Sequence, residues 1–303
     1  MTPEVVVVGS INMDLVARTA TLPVPGETVP GLSFATIPGG KGANQAVAVA
    51  RLGARTAMIG CVGEDAFGRE LRAGLEADGI DCLGVREIPG VSSGVALILV
   101  DGAGRNCIVV VPGANGRLEA AQVDGLPDLL APARIVLLQL EVPLETVEHC
   151  ALEARRRGSL VVLNPAPARR LPERLVASAD YLVPNEVEAA ALTGTAVGSV
   201  EDASRAAEQL RKAGSGRVLV TLGERGVVSA GPEGVRHHPA RPVRAVDSTA
   251  AGDTFIGGLC ASLVRGRPLD DAIAFAQAAA AISVTRPGAQ PSIPYERELA
   301  GWR

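Results

Sequence analysis

Aromatic residues are scarce in this chain: four Phe, two Tyr and one Trp among 303 residues. Its core must therefore be aliphatic, and it offers little for the stacked platforms that grip single-stranded nucleic acid. No Cys-x-x-Cys pair occurs. The five cysteines stand singly at 61, 82, 107, 150 and 260, an odd, dispersed set that reads as reduced thiols in a cytoplasmic protein. Positive charge is not in excess either. With 29 Lys and Arg against 33 Asp and Glu the formal charge is -4, which disfavours nucleic acid or an acidic membrane as partner. No apolar run approaches the ~20 residues a membrane helix needs. Met1 leads straight into Val5–Val8 without a basic segment and cleavage site, so no secretory leader is expected.

What is present is an aliphatic α/β pattern. Val5–Val8 is a continuous run of the kind buried on both faces of a parallel sheet. Equivalent runs occur at 56–59, 135–138, 160–163, 181–183 and 218–221. Helical stretches lie between them at 42–52, 67–77, 143–156, 187–192 and 203–213, and two longer ones close the chain at 252–264 and 269–284. Strand–helix alternation predicts a three-layer α-β-α domain over 1–303, with a mostly parallel central sheet. Residues 114–133 and 165–173 read as Pro- and Ala-rich connections.

Two regions break the alternation, 11–38 and 92–111. The second is a hairpin by its turn, Asp101-Gly102-Ala103-Gly104, between apolar strands 95–100 and 106–111. Together they predict a small antiparallel sheet projecting from the main one as a lid. Its strands lack strict polar alternation, so a second surface should cover them. A two-fold homodimer through the lids is the expectation.

The most informative stretch is Asp247-Ser248-Thr249-Ala250-Ala251-Gly252-Asp253-Thr254-Phe255. Small residues lead into a helix whose first N–H groups can hold an anion. A carboxylate inside an anion site repels the ligand, so Asp253 reads as a base that takes a proton from an attacking hydroxyl. Its plainer reading is a capping Asp. Gly39-Gly40-Lys41-Gly42-Ala43-Asn44-Gln45-Ala46 is a glycine-rich bend feeding a helix, with neither Walker nor dinucleotide spacing. Asn12 and Asp14 follow the first strand with i,i+2 spacing, so both point one way in extended chain. Glu141 follows another apolar strand. Asn12, Asp14, Lys41, Asn44, Glu141 and Asp253 together describe a site for a hydroxyl-rich sugar. Asn185 and Glu188 have the spacing of a capping box, and can equally hold a hydrated magnesium ion. Thr221-Leu222-Gly223-Glu224-Arg225-Gly226 ends a strand with donors suited to phosphates. His237-His238 reads as a surface feature.

These segments resemble the ribokinase family of sugar and nucleoside kinases. The matching stretches are 9–14, 25–28, 39–46, 164–168, 184–186, 221–223, 247–255 and 288–292, in the family's order over about residues 5 to 298. The resemblance implies a ribokinase-like fold, and transfer of the terminal phosphoryl group of ATP to the 5-hydroxyl of D-ribose. It implies that Asn12, Asp14, Gly40, Lys41, Asn44 and Glu141 hold the sugar and Asp253 is the base. Ala250, Ala251 and Gly252 would form the anion hole. Asn185, Thr221, Gly223, Gly226 and Gln277 would contact the nucleotide, with Glu188 acting on magnesium mainly through water. A potassium ion would be held by Asp247, Thr249, Ser283, Arg286, Gly288 and Ser292. The lids would join two subunits. Gln277 stands where relatives often carry Asn or His, and Thr249 where an aliphatic is common.

Three other readings compete with this one. One is a kinase of the same family acting on deoxyribose, fructose or a nucleoside, although few aromatics are available to carry a base. Another is a sugar-binding protein that has lost the chemistry, against which the small-residue turn before Asp253 speaks. A nicotinamide oxidoreductase fails for want of the three-glycine fingerprint after the first strand.

Overall fold

The computed structural model describes residues 2–302, so the two end residues of the expected domain lie outside it. Its strands are β1 (Val5–Val8), β2 (Asn12–Thr19), β3 (Gly31–Gly39), β4 (Thr56–Gly63), β5 (Asp81–Ile88), β6 (Gly94–Val100), β7 (Asn106–Val111), β8 (Ile135–Leu138), β9 (Leu160–Leu163), β10 (Tyr181–Leu182), β11 (Arg217–Thr221), β12 (Val227–Gly231) and β13 (Gly234–His238). Ten α-helices are described. They are α1 (Lys41–Arg51), α2 (Ala66–Ala77), α3 (Ala120–Asp124), α4 (Pro127–Leu130), α5 (Leu144–Arg156), α6 (Glu173–Ser178), α7 (Glu186–Thr193), α8 (Val200–Lys212), α9 (Ala251–Leu263) and α10 (Leu269–Ser283).

Nine strands form one sheet in the order β13-β12-β11-β10-β9-β8-β1-β4-β5. The pairs from β11 across to β5 are parallel, while β12 and β13 run antiparallel at one edge. The pleat of β1 shows how the layers are built. Val5 and Val7 enter a core shared with α1, α2, α9 and α10, and Val6 and Val8 enter a second core shared with α5 and α8. All four are fully buried, each contributing about 1.5–3 kcal/mol relative to exposure. The three-layer α-β-α architecture and its smaller second sheet match the expected fold class.

That second sheet has the order β3-β2-β6-β7. It is mixed, not antiparallel as expected, because β2 pairs parallel with β6. The reason is topological: β2 continues from β1 and β6 follows β5, two parallel strands that leave the main sheet at the same edge. The hairpin of β6 and β7 occurs where its turn placed it, with the Asp101 carboxylate accepting the N–H groups of Ala103 and Arg105, each at 2.9 Å.

Residues 114–133 are more than a connection. A 3₁₀ turn (Gly113–Arg117), α3 and α4 place Ala114, Leu118, Val123, Leu129 and Leu130 in the second core. Helices this short carry no readable period. The His237-His238 pair ends β13. His237 is exposed, but His238 is half-buried, its ring nitrogen 2.9 Å from the Ser229 hydroxyl.

Candidate active site

Open parallel sheets bind ligands at the carboxyl ends of their strands, where the strand order reverses. Here that switch lies between β1 and β8, since the chain runs from β1 outward to β4 on one side and later to β8 on the other. The chain after β1 carries Ser10, Asn12 and Asp14, and the chain after β8 carries Gln139 and Glu141. Asn164, Asn185 and Thr221 sit at the same edge of β9, β10 and β11. The N-termini of α1 and α9 bring Lys41, Asn44 and Asp253 to it.

Gly40 makes the close approach of α1 possible. Its φ of 87° belongs to the left-handed region, and a Cβ there would stand 2.7 Å from the Asn12 backbone nitrogen. A Cβ on Gly39 would likewise strike the Asp14 carboxylate at 2.4 Å. Glu141 is anchored rather than free. Its Oε2 accepts the Ser10 hydroxyl at 2.6 Å and the Lys41 backbone N–H at 3.1 Å. Asn12 is held by Asn115, whose Nδ2 donates to Asn12 Oδ1 at 2.7 Å and whose Oδ1 accepts the Ile11 N–H at 2.9 Å.

The electrostatics follow from packing several carboxylates close to one another and to one ammonium. Burial, then Glu141 and Asp253, push the Asp14 carboxyl up to about 7. Burial alone would lower the Lys41 ammonium, but Asp253, Glu141 and Glu188 together outweigh it and hold it above its ordinary value. Asp253 is buried, which raises its carboxyl; Lys41, Gln45 and Asn44 work against that rise. Both Asp253 oxygens are taken: Oδ2 accepts Asn44 Nδ2 at 3.1 Å, and Oδ1 accepts Gln45 Nε2 at 2.9 Å.

The turn before α9 holds the one non-glycine residue of positive φ among the described residues, Ala250 at 58°. Such a conformation is strained for a side chain and clusters at functional turns. The Ala251 N–H turns back to the Ser248 carbonyl at 3.2 Å. The N–H groups of Gly252 and Asp253 follow in the first helical turn, where the helix provides no acceptor. Of the expected trio 250–252, the Ala251 N–H is therefore already bonded within the turn.

On the far side of the edge, Asn185 pairs with Thr221 as an isolated parallel bridge. Asn185 and Glu188 form a complete capping box. The Glu188 carboxylate accepts the Asn185 N–H at 2.8 Å and the Asn185 amide at 3.0 Å. Burial raises its pKa, opposed chiefly by that backbone N–H and by Lys41. With its near lone pairs so used, Glu188 fits a magnesium ion held through water and not by direct ligation. Gly223 and Gly226 both have positive φ, and a Cβ on Gly226 would meet the His238 carbonyl at 2.0 Å. Gln277 donates to the same carbonyl at 2.9 Å, so it borders this loop from α10.

The residues implied for potassium are brought together in part. Asp247 accepts the Thr249 N–H and hydroxyl on one oxygen and the Gly288 N–H on the other. Burial would raise its carboxyl, but these bonds hold it below the usual range. Ser283 and Ser292 donate their hydroxyls to the carbonyls of Ala280 and Ala289. The Arg286 guanidinium is drawn to Glu298 at 2.6 Å, so only its backbone oxygen suits a cation. An all-oxygen set of this kind fits a hard monovalent ion.

Sequence reasoning passed over Ser10, Gln45, Asn115, Gln139 and Asn164 as site residues. Only Ser10, Gln45 and Asn164 lay in stretches already singled out. A separate group, Asp124, His149 and Glu153, lies between α3 and α5; Arg156 and Arg157 pair with Glu153 there.

Known proteins resemble this chain over nearly its whole length. A ribokinase of Schizosaccharomyces pombe is 43% identical, covering 98% of this chain and 97% of that one. A deoxyribokinase of Salmonella typhi is 39% identical, covering 96% and 95%. The structure of Arabidopsis thaliana ribokinase, described as complexed with ribose and ATP, superimposes with a TM-score of 0.93 at 34% identity, covering 99% and 98%. The sequence pattern of the pfkB family of carbohydrate kinases matches residues 2–296, and the chain belongs to that family, among its ribokinase-like members.

Proposed function

We propose that this kinase transfers the terminal phosphoryl group of ATP to the 5-hydroxyl of D-ribose. The observation that carries the reading is the Asp253 carboxylate, buried at the start of α9 and gripped by Asn44 and Gln45 beside Asn12, Asp14, Lys41 and Glu141. Asp253 takes the proton from the 5-hydroxyl as its oxygen bonds to the γ-phosphorus and the bond to the β–γ bridging oxygen breaks. A buried carboxylate whose pKa burial raises, against the opposing pull of Lys41, Gln45 and Asn44, has the proton affinity such a transfer needs. The first-turn N–H groups of Gly252 and Asp253 face the charge on the transferred group, with Ala250 and Ala251 shaping the turn.

Asn12, Asp14, Gly40, Lys41, Asn44 and Glu141 hold the sugar. Asn44 must point its NH₂ at Asp253, so its buried and otherwise unpartnered Oδ1 is left to accept a sugar hydroxyl. Asn185, Thr221, Gly223, Gly226 and Gln277 border the nucleotide. Magnesium, when bound, neutralises phosphate charge; Glu188 would hold its water shell. Asp247, Thr249, Ser283, Arg286, Gly288 and Ser292 would hold potassium, largely through backbone oxygens.

The smaller sheet serves as the lid of one kinase domain, and a second subunit's lid covers its apolar surface. Five unpaired cysteines suit a reducing, cytoplasmic setting. Deoxyribose is the second reading, favoured by the 39% identity to the deoxyribokinase. A coupled assay of ATP turnover on ribose, deoxyribose, fructose and adenosine decides. Ribose should give the highest kcat/KM; a preference for another acceptor overturns the assignment.

A further inference from the structure

Two glutamines outside the residues assigned above to the sugar and nucleotide lie next to Asp253. Gln45 is fully buried in the second turn of α1, and Gln139 is fully buried just after β8. Gln45 Nε2 donates to Asp253 Oδ1 at 2.9 Å and to Asn164 Oδ1 at 3.1 Å. An ionised carboxylate only accepts, so the Gln45 amide has a single workable orientation, NH₂ toward Asp253. Its Oε1 then faces the other way and accepts Gln139 Nε2 at 2.6 Å. That in turn fixes Gln139, whose own Oε1 is left buried without a protein donor. A buried orphan acceptor is destabilising. Flipping Gln139 would set two amide oxygens face to face, so the orientation is dictated from the Asp253 end. Room for the second amide comes from Gly9, where a Cβ would lie 2.0 Å from Gln139 Oε1.

We propose that Gln45 is a positioning residue that holds Asp253 for proton transfer, and that Gln139 locks the Gln45 amide in the orientation this requires. The proposal rests on Asp253 being the base. Through Asn164, which also donates to the Val183 carbonyl at 2.9 Å, the same amide ties the base to the nucleotide side of the sheet edge. Losing the Gln45 donor removes one of the bonds that favour the ionised carboxylate, so Asp253 should be harder to ionise.

The test is the pH profile of kcat in Gln45→Met, Gln139→Met, Asp253→Asn and the Gln45→Met/Asp253→Asn double variant. In Gln45→Met the acid limb should move up by roughly one pH unit. Its kcat at pH 7 should fall about tenfold, with sugar KM changed less than about threefold. Added to Asp253→Asn, Gln45→Met should cost less than about twofold more, because it acts through the missing carboxylate. An unmoved acid limb in folded Gln45→Met overturns the proposal. If that variant does not fold, Gln139→Met decides, since it leaves both donors on Asp253 and removes only the lock. A smaller upward shift there supports the proposal, and a wild-type profile overturns it. Retained turnover in Asp253→Asn overturns instead the reading of Asp253 as base. An inert Asp253→Asn beside an unmoved Gln45→Met limb overturns only the role of Gln45.

Discussion

The Asp247 carboxylate accepts the backbone N–H of Gly288 at 2.9 Å, joining the segment before α9 to the loop after α10. The two segments are therefore tied together behind the small-residue turn that precedes Asp253. A monovalent cation among their oxygens would tighten the same tie. Potassium should then raise kcat over sodium at matched ionic strength, and raise the melting temperature of the protein without substrates. Asp247→Ala should abolish both differences. Equal rates and equal melting in the two salts, from rigorously potassium-free protein, would sink the idea.

Asp253→Asn should lose roughly 10²–10⁴-fold in kcat, the range for a positioned acid–base group. The substitution places an NH₂ where two amide donors now converge. Asn44 can absorb this by flipping, because its Oδ1 is without a partner and can accept the new NH₂. The variant should thus stay folded, and isothermal titration should show sugar affinity within about tenfold of the parent. Turnover above half the parent value would remove Asp253 from the base role.

Asp14 gives a pH-dependent stability whose sign can be worked out. Unfolded, it ionises near 3.8; folded, it keeps its proton to about 7. Between these values the folded state binds more protons, so stability falls as pH rises through that window. Asp14→Asn removes the burden. Without ligand it should be more stable than the parent at pH 8, by at least about 1.4 kcal/mol, the worth of one pKa unit. The gain should shrink to nothing near pH 4. The same substitution should raise sugar KM by roughly 10- to 100-fold through the lost charged hydrogen bond, with ATP KM little changed. Identical melting of the two proteins at pH 8 would contradict the assigned environment of Asp14.

How much of this was readable beforehand depends on the reach of each interaction. β1, β4, β8, β9 and β11 announce themselves as aliphatic runs because they are buried on both faces. β5 does not, since Asp81, Gly84, Arg86 and Glu87 interrupt it at the edge of the sheet. β12 and β13 escape for a similar reason: Val-Val-Ser-Ala-Gly and Gly-Val-Arg-His-His look like loop. Asn12, Asp14, Lys41 and Asp253 were visible because charge or amide beside a strand end or helix start is informative locally. Gln45, Asn115, Gln139 and Asn164 were not. Each acts on a partner far off in sequence, as Asn115 does on Asn12, 103 positions away. Gln45 and Asn164 were signalled only by lying in stretches of interest, Gln139 only as a polar residue in an apolar run, and Asn115 not at all.

Asn115 turns that lesson into a prediction. Removing it strands the Ile11 N–H and Asn12 Oδ1 in a buried place. Asn115→Ala should cost about 1–3 kcal/mol of stability, the penalty for a buried polar group left unpaired. Because Asn12 loses its support, sugar KM should rise more than ATP KM. Equal rises in both would show that Asn115 supports the fold without bearing on the sugar site.

Assembly supplies the last prediction. All six residues of β7 are exposed, Val109 at 54% and Val110 at 50%, and Phe34 on β3 stands 66% open. Adjacent residues of a strand point to opposite faces, so both sides of the small sheet carry uncovered apolar side chains. Val109 pairs with Leu97, itself exposed, on one face. Val110 lies on the other, in a row with Ala96, Asp14 and Ile37. That second row runs across the small sheet from its edge strand β7 to Asp14 on β2. A partner lid laid across it would bury the apolar residues and steady Asp14 together. Sedimentation should therefore give a dimer whose dissociation accompanies Val110→Lys and raises sugar KM. Val109→Lys, on the opposite face, should disturb the mass less. A monomeric parent with full activity across working concentrations would show that one chain satisfies its own lid.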